Sequence, residues 1–219
     1  MLTNRNISNG IIVDLWGTLF DDSSYCDALQ EDRAKVLSKI CGKYSLSYPK
    51  DGWIDALREE RIRFRQEEAT GTILPIRSRI GRLLHQEEER NIDGCIDEAI
   101  YHFQNLVKSY EPKVNATLVR HMKTWHDRGL PIVLLSNSGF IDNLQTRRLL
   151  LKMGVALLLD YLLLSSETGL VKPDPRAFLM ACHVMKRCPQ DSILIGDDPT
   201  MDFEGGQSVG VEIFNVHEL

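Results

Sequence analysis

Ile11-Ile12-Val13-Asp14-Leu15-Trp16-Gly17-Thr18-Leu19 decides how the rest of this chain is read. A short apolar run delivers one carboxylate, Asp14, to its C-terminal end, and Gly17-Thr18 turns the backbone away. In an open α/β sheet that edge is where ligands sit. A carboxylate held there is suited to be a nucleophile or a metal ligand. Two residues on stands Trp16, whose indole has no acidic proton to give a substrate.

Three further short apolar runs have the character of buried parallel strands, Ile132–Leu135, Tyr161–Leu164 and Ile193–Ile195, and Val211–Val216 supplies a fifth. Helical patterns separate them at about 118–128, 140–153, 174–187 and 201–208. The second is expected to begin behind Asn137-Ser138 and the third behind Lys172-Pro173-Asp174-Pro175. Strand–helix alternation implies a parallel sheet covered on both faces. The fold class is therefore α/β, a Rossmann-like parallel sheet built from residues 8–20 and 113–219.

Residues 21–112 differ in kind. Charged, helix-forming stretches at 27–42, 51–68, 75–90 and 94–109 are broken at Gly42, Pro49–Gly52 and Thr70-Gly71, with no convincing strand. This stretch is expected to be an inserted all-α cap over the strand ends, and residues 1–7 a loose N-terminal tail.

Composition narrows the setting. With 219 residues, 43% of them hydrophobic, a core of ordinary size is available. A net charge of −5 argues against a nucleic-acid partner. Five cysteines without a CxxC pair suit reduced thiols and a cytoplasmic location. The most apolar window, Val155–Leu164, is interrupted by Asp160 and too short to span a bilayer, so no membrane association is expected. Nothing in the sequence fixes the oligomeric state.

The polar residues that follow the strands form a set. Asp14, with Thr18 nearby, follows the first and Ser136-Asn137 the second. Lys172 lies beyond the third, and Gly196-Asp197-Asp198-Pro199-Thr200-Met201-Asp202 follows the fourth. Phosphoryl transfer rests on positioning and on neutralising the equatorial oxygens. Carboxylates alone repel a phosphate. With Mg²⁺ between them they hold it, while lysine and short hydrogen-bond donors meet the remaining charge.

In these four segments the chain resembles the haloacid dehalogenase-like hydrolase superfamily. Asp14-Leu-Trp-Gly-Thr-Leu is similar to its first motif, Leu-Leu-Ser136-Asn137 to its second, Lys172-Pro-Asp-Pro to its third and Gly-Asp197-Asp198-x-x-x-Asp202 to its fourth. The insertion after the first motif resembles the C1-type helical cap. The resemblance implies a hydrolase in which Asp14 is the nucleophile and forms an aspartyl-phosphate. Asp14, the backbone carbonyl of Trp16 and Asp197 would hold Mg²⁺, with Asp198 or Asp202 in support. Lys172, Ser136, Asn137 and Thr18 would contact a small phosphorylated substrate.

The family's phosphatases carry Asp where this chain has Trp16, as general acid and then as base for water. General acid–base help is worth roughly 10²–10⁴-fold in rate. Its loss matters less for aryl or acyl phosphates, whose leaving groups are weaker bases. Two alternatives follow from Trp16. One is a weak or inactive member that binds a phosphorylated ligand or a protein partner. The other is a metal-independent 2-haloacid dehalogenase, a group in the family that has Tyr at this position; the acidic fourth segment speaks against it. The family's phosphonoacetaldehyde hydrolases use a cap lysine, but nothing around Lys35, Lys39 or Lys43 marks one.

The remaining polar residues have plainer readings. Asp197, Asp198 and Asp202 suit the cap and first turn of the following helix as well as a metal. Arg58, Arg61, Arg63, Arg65, Arg77, Arg79 and Arg82 interleave with Glu59, Glu60, Glu67 and Glu68, the pattern of a solvated, ion-paired helix face. The histidines at 85, 102, 121, 126, 183 and 217 show no ligand spacing, and Trp53 and Trp125 read as packing residues.

Overall fold

The computed structural model describes residues 10–21, 23–47, 49, 51–72, 74–84 and 92–219, with the backbone alone at 23–25. The expected tail, His85 and the end of the helix expected over 75–90 lie outside them. The chain enters through β1 (Gly10–Val13) and β2 (Phe20–Asp21). Four helices follow: α1 (Ser23–Tyr44), α2 (Gly52–Ala69), α3 (Ile76–Leu84) and α4 (Asp93–Leu106). After β3 (Lys113–Val114), helix and strand alternate through α5 (Ala116–Asp127), β4 (Ile132–Ser136), α6 (Asn143–Lys152) and β5 (Tyr161–Leu164). The chain then runs through α7 (Ser165–Thr168), α8 (Pro175–Met185), β6 (Ser192–Gly196), α9 (Gly205–Ser208) and β7 (Glu212–Asn215).

Five strands form one parallel sheet in the order β5-β4-β1-β6-β7. β1 is central: Ile11 lies opposite Ile132 on one side and Ile193 on the other. Its residues are buried on both faces, as the continuous apolar run demands. Ile11 and Val13 pack with Leu118, Met122 and Trp125 of α5, while Ile12 packs with Phe178 and Ala181 of α8. The sheet switches direction of winding beside β1, which places Asp14 at the crevice where such sheets bind ligands.

A second apolar cluster lies within the helices, with Leu37, Ile40, Trp53, Leu57, Ile80, Ile96 and Phe103 at its centre. One of its members comes from elsewhere. Phe140, from the loop after β4, packs edge-on against Phe103 with ring centroids 5.6 Å apart.

Three local features depart from the sequence expectations. α6 begins at Asn143 rather than behind Asn137-Ser138, because Asp142 is the residue that caps it, accepting the N–H of Gln145 at 2.7 Å. The residues before it bond to other elements: Ser138 N–H donates to Ser165 Oγ and Asp142 N–H to Gln104 Oε1. The helix expected over 201–208 starts earlier, as a π-helical turn over Pro199–Glu204 that runs into α9. A two-stranded antiparallel ribbon was not anticipated: Phe20 pairs with Val114 and Asp21 with Lys113. It brings together the two ends of the helical stretch. By contrast, Asp174 caps α8 with Pro175 in its first turn, as the Lys-Pro-Asp-Pro run implies.

Candidate active site

The chain leaves β1 in an orderly way. Asp14 N–H still donates to Ile195 O, and the turn then closes with Gly17 N–H to Phe20 O and Phe20 N–H to Leu15 O. Gly17 takes φ 83°, and a Cβ there would strike the Asp197 carboxylate. Glycine is needed both for the backbone angle and for the approach of the two segments. Gly196 serves the same end at β6, where a Cβ would strike the Asp202 carboxylate.

The segments converge on Lys172. Its ammonium, on a side chain only 4% exposed, lies 2.5 Å from Asp14 Oδ1 and 2.6 Å from Asp202 Oδ1. Asn137 holds the backbone of Lys172 with a reciprocal pair. Its Nδ2 donates to Lys172 O at 2.9 Å, and Lys172 N–H donates to its Oδ1 at 2.8 Å. The other oxygen of Asp202 accepts from the backbone N–H groups of Asp197 and Asp198, each at 3.3 Å. Thr18 Oγ1 donates to Asp197 Oδ1 at 3.0 Å.

Carboxylate oxygens of Asp14, Asp197 and Asp202 all lie within 4.8 Å of one another. Three carboxylates face one ammonium, in a buried place where charge is costly. Burial raises Asp14 to about 7, the attraction of Lys172 pulls against it, and Asp202 and Asp197 push it further up. Asp197 is raised too, chiefly by burial, with the Thr18 hydroxyl opposing. Burial by itself would lower Lys172, but Asp14 and Asp202 hold it above its ordinary value. The surplus of negative charge is what a divalent cation would neutralise, and clustered carboxylate oxygens suit Mg²⁺. The donor set fits that ion.

Asp198 stands apart from this cluster. Its Oδ1 accepts the N–H groups of Thr200 and Met201, the capping role, and its other oxygen lies 3.7 Å from Arg65 of α2. Thr18 is buried behind Asp197 and is not among the cavity's lining residues, so its hydroxyl serves Asp197 rather than open space. Ser136 and Asn137 do line the cavity. Trp16 is half-buried on its wall, its ring edge-on to Phe20 at 5.8 Å between centroids.

The cavity has a volume of about 200 Å³. That is small beside drug-sized pockets of roughly 300–1,000 Å³ and suits a compact ligand. Helices α1, α2 and α3 all contribute to its lining, α1 through Leu29, Gln30 and Arg33 among others. Arg61, Phe64, Arg65 and Glu68 recur at helical spacing along α2 and line it, with Arg79 of α3. Here the expectation of a solvated, ion-paired face gives way. Arg79 and Glu60 are buried and paired at 3.0 Å, and Glu68 is buried as well. The Arg79 guanidinium stacks 3.5 Å from the Phe64 ring centroid and 4.0 Å from that of Phe140. Pairing also runs between helices, Arg82 of α3 to Glu60 and Glu67 of α2. Lys35, Lys39 and Lys43 all point to solvent, Lys35 paired with Asp32 and Lys43 with Glu98.

Comparison with known proteins gives the family and the fold. The chain matches the haloacid dehalogenase-like hydrolase family over residues 9–210. A phosphoserine phosphatase of Thermus thermophilus is 38% identical over 84 residues, covering 38% of this chain and 32% of the relative. The chain spans about a third of the length of the curated relatives it matches. The 2-haloacid dehalogenase of Pseudomonas syringae superposes with a TM-score of 0.64 at 18% identity, over 94% of this chain and 84% of that one. CbbY of Rhodobacter sphaeroides, solved in complex with phosphate, gives 0.62 at 12% identity, over 94% and 85%. These two likenesses establish a shared fold. With the match running from the residue before β1 to just beyond α9, the chain belongs to the haloacid dehalogenase-like hydrolases.

Proposed function

We propose that the protein is a Mg²⁺-dependent phosphohydrolase that attacks a small phosphorylated metabolite through Asp14. The observation that carries this reading is the cluster of Asp14, Asp197 and Asp202 around the buried Lys172 ammonium. A haloalkane carbon gives three carboxylates nothing to do, whereas a phosphoryl group with a cation uses all of them. The Thermus relative, by name a phosphoserine phosphatase, is in keeping with a phosphate ester.

In this reading the Asp14 carboxylate forms a bond to phosphorus as the leaving oxygen departs with the electrons of its own bond. Water then attacks the same phosphorus, releasing phosphate and restoring Asp14. Lys172 offsets charge on Asp14 and the phosphoryl oxygens, and Asn137 keeps Lys172 in register. The Ser136 hydroxyl, which donates to Asn137 O at 3.3 Å, would turn from that carbonyl to an equatorial oxygen. Mg²⁺, held by Asp14, Asp197 and Asp202 with the Trp16 carbonyl, would supply Lewis-acid neutralisation of those oxygens. Residues 21–112 form the cap, residues 8–20 and 113–219 the hydrolase core, and the cap's inner face selects the substrate.

Single-turnover hydrolysis of an aryl phosphate tests the reading, with Mg²⁺ or with chelator, in the wild type and in Asp14→Asn. Turnover that needs both the metal and Asp14 is expected. Halide release from a 2-haloacid without Mg²⁺ would point to the dehalogenase. No Asp14-dependent turnover of any kind would leave a binding protein.

A further inference from the structure

The site has a nucleophile and a neutralising lysine, but the residue two after the nucleophile is an indole. A proton for a basic leaving group has to come from another wall of the cavity. Among the described residues that line it there is no histidine and no tyrosine. Asp14, Asp197 and Asp202 are gathered with one another beside Lys172. Asp198 is engaged elsewhere: its Oδ1 accepts two backbone N–H groups as a helix cap, and its other oxygen lies 3.7 Å from Arg65. The carboxyl group left is Glu68, on the last turn of α2.

Glu68 is 5% exposed, and its Oε1 is fully buried with no hydrogen-bond partner among the described residues. A buried, unpartnered carboxyl oxygen is a costly arrangement unless something fills the space before it. It lines the same cavity as Asp14 and Lys172, reaching it from α2. The leaving group of a phosphate attacked by Asp14 would share that cavity with it. Phe64 and Arg65, a turn earlier, line the cavity with it, and Arg65 reaches Asp198 across the gap.

We infer that Glu68 is the proton donor to the leaving group, and then the acceptor of the proton from the attacking water. This rests on the phosphohydrolase reading. In the first step Asp14 bonds to phosphorus, the bond from phosphorus to the leaving oxygen breaks, and the Glu68 proton converts the departing alkoxide to an alcohol. In the second, the Glu68 carboxylate takes a proton from water as its oxygen attacks phosphorus. Phosphate leaves, Asp14 is regenerated and Glu68 is again protonated.

The surroundings suit both roles. Burial raises Glu68 to about 7, against the opposing pull of Arg79 from α3, Lys172 from the loop before α8, and Arg65 on its own helix, with the Asn137 amide beside it. Near neutral pH both forms are then populated, as a group that must give and retake a proton requires.

The test compares wild type with Glu68→Gln by rapid quench, with Mg²⁺, on p-nitrophenyl phosphate and glycerol phosphate. For E68Q with the aryl ester we expect a burst of about one nitrophenol per enzyme, then steady turnover slowed by roughly 10²-fold or more. With the alkyl ester the burst itself should fall by a similar factor. The wild-type alkyl rate should decline above pH 7, and that decline should be absent in E68Q. An equal fall of the burst rate on both esters, or no loss on either, would overturn the role of Glu68. Should E68Q not fold, Glu68→Asp carries the test, because a shorter acid should keep the decline at a shifted pH; an unshifted profile overturns it. Asp14→Asn is run in parallel. Wild-type turnover independent of Asp14 sinks the phosphohydrolase reading and Glu68 with it, whereas Asp14-dependent turnover with E68Q equal to wild type removes Glu68 alone.

Discussion

Lys172 Nζ lies 2.5 Å from Asp14 Oδ1 and 2.6 Å from Asp202 Oδ1, so one buried ammonium ties the end of β1 to the loop after β6. Removing one partner of a buried charge cluster is far more damaging than removing an exposed pair, at about 3–5 kcal/mol. Lys172→Met should cost that much in chemical denaturation at pH 8. The cost should shrink toward pH 5, where Asp14 can take a proton. An equal loss at both pH values would mean that the lysine acts through packing.

The same burial sets a pH dependence. Asp14 and Glu68 are both raised to about 7 in the folded protein. Between the ordinary carboxylate range and pH 7 the folded state therefore holds more protons than the unfolded one, so stability falls as pH rises through that window. Without divalent ions the Tm should drop by several degrees from pH 5 to pH 7.5, at about 2–4 °C for each kcal/mol. Mg²⁺ should restore much of the loss at pH 7.5 and little of it at pH 5. A flat profile in thermal scans, with no effect of Mg²⁺, would count against the cation site.

Gly17→Ala probes the fit of the turn to Asp197. The substitution carries an unfavourable φ, costing about 1–2 kcal/mol, and a Cβ that meets the Asp197 carboxylate. We expect modest destabilisation together with clearly weaker Mg²⁺ binding in calorimetry. Destabilisation with unchanged Mg²⁺ affinity would show that Asp197 is not a ligand.

Trp16→Asp tests whether the missing acid accounts for any weakness on alkyl esters. Alkyl phosphate hydrolysis should rise, by a part of the roughly 10²–10⁴-fold that acid–base help supplies. In that background Glu68→Gln should cost much less than in the wild type. No rise would place the limitation in the geometry of the cavity rather than at residue 16.

Much of the sheet side could be read directly from residues. The run Ile11–Val13 sits at the centre of the sheet, and Asp174-Pro175 starts α8 where the motif says it should. The polar ends of successive strands, Asp14, Ser136, Lys172 and Asp197, meet in one cavity. Features without local periodicity were out of reach. β2 and β3 are two residues each, too short to alternate, and exist because they pair. Asn137 lines the cavity as a substrate contact should, but that its amide also bonds to a backbone 35 residues away has no local signal. Glu60, Glu68 and Arg79 have the spacing of an exposed charged face, and only the packing of α3 and Phe140 over α2 buries them.

Phe140 belongs by chain to the loop that begins with Ser136-Asn137, and by packing to the helices. Its ring sits against Phe103, with the guanidinium of Arg79 stacked on it and that of Arg33 5.1 Å from its centre. If the helices swing away from the sheet, they must either withdraw this ring, which costs about 1.5–3 kcal/mol of buried aromatic surface, or pull the loop with them. Pulling the loop moves Asn137, and with it the backbone that aims Lys172 at Asp14. Along that second route, making room for a ligand would also part the nucleophile from its counterion, and reseating the ring would bring the two together again.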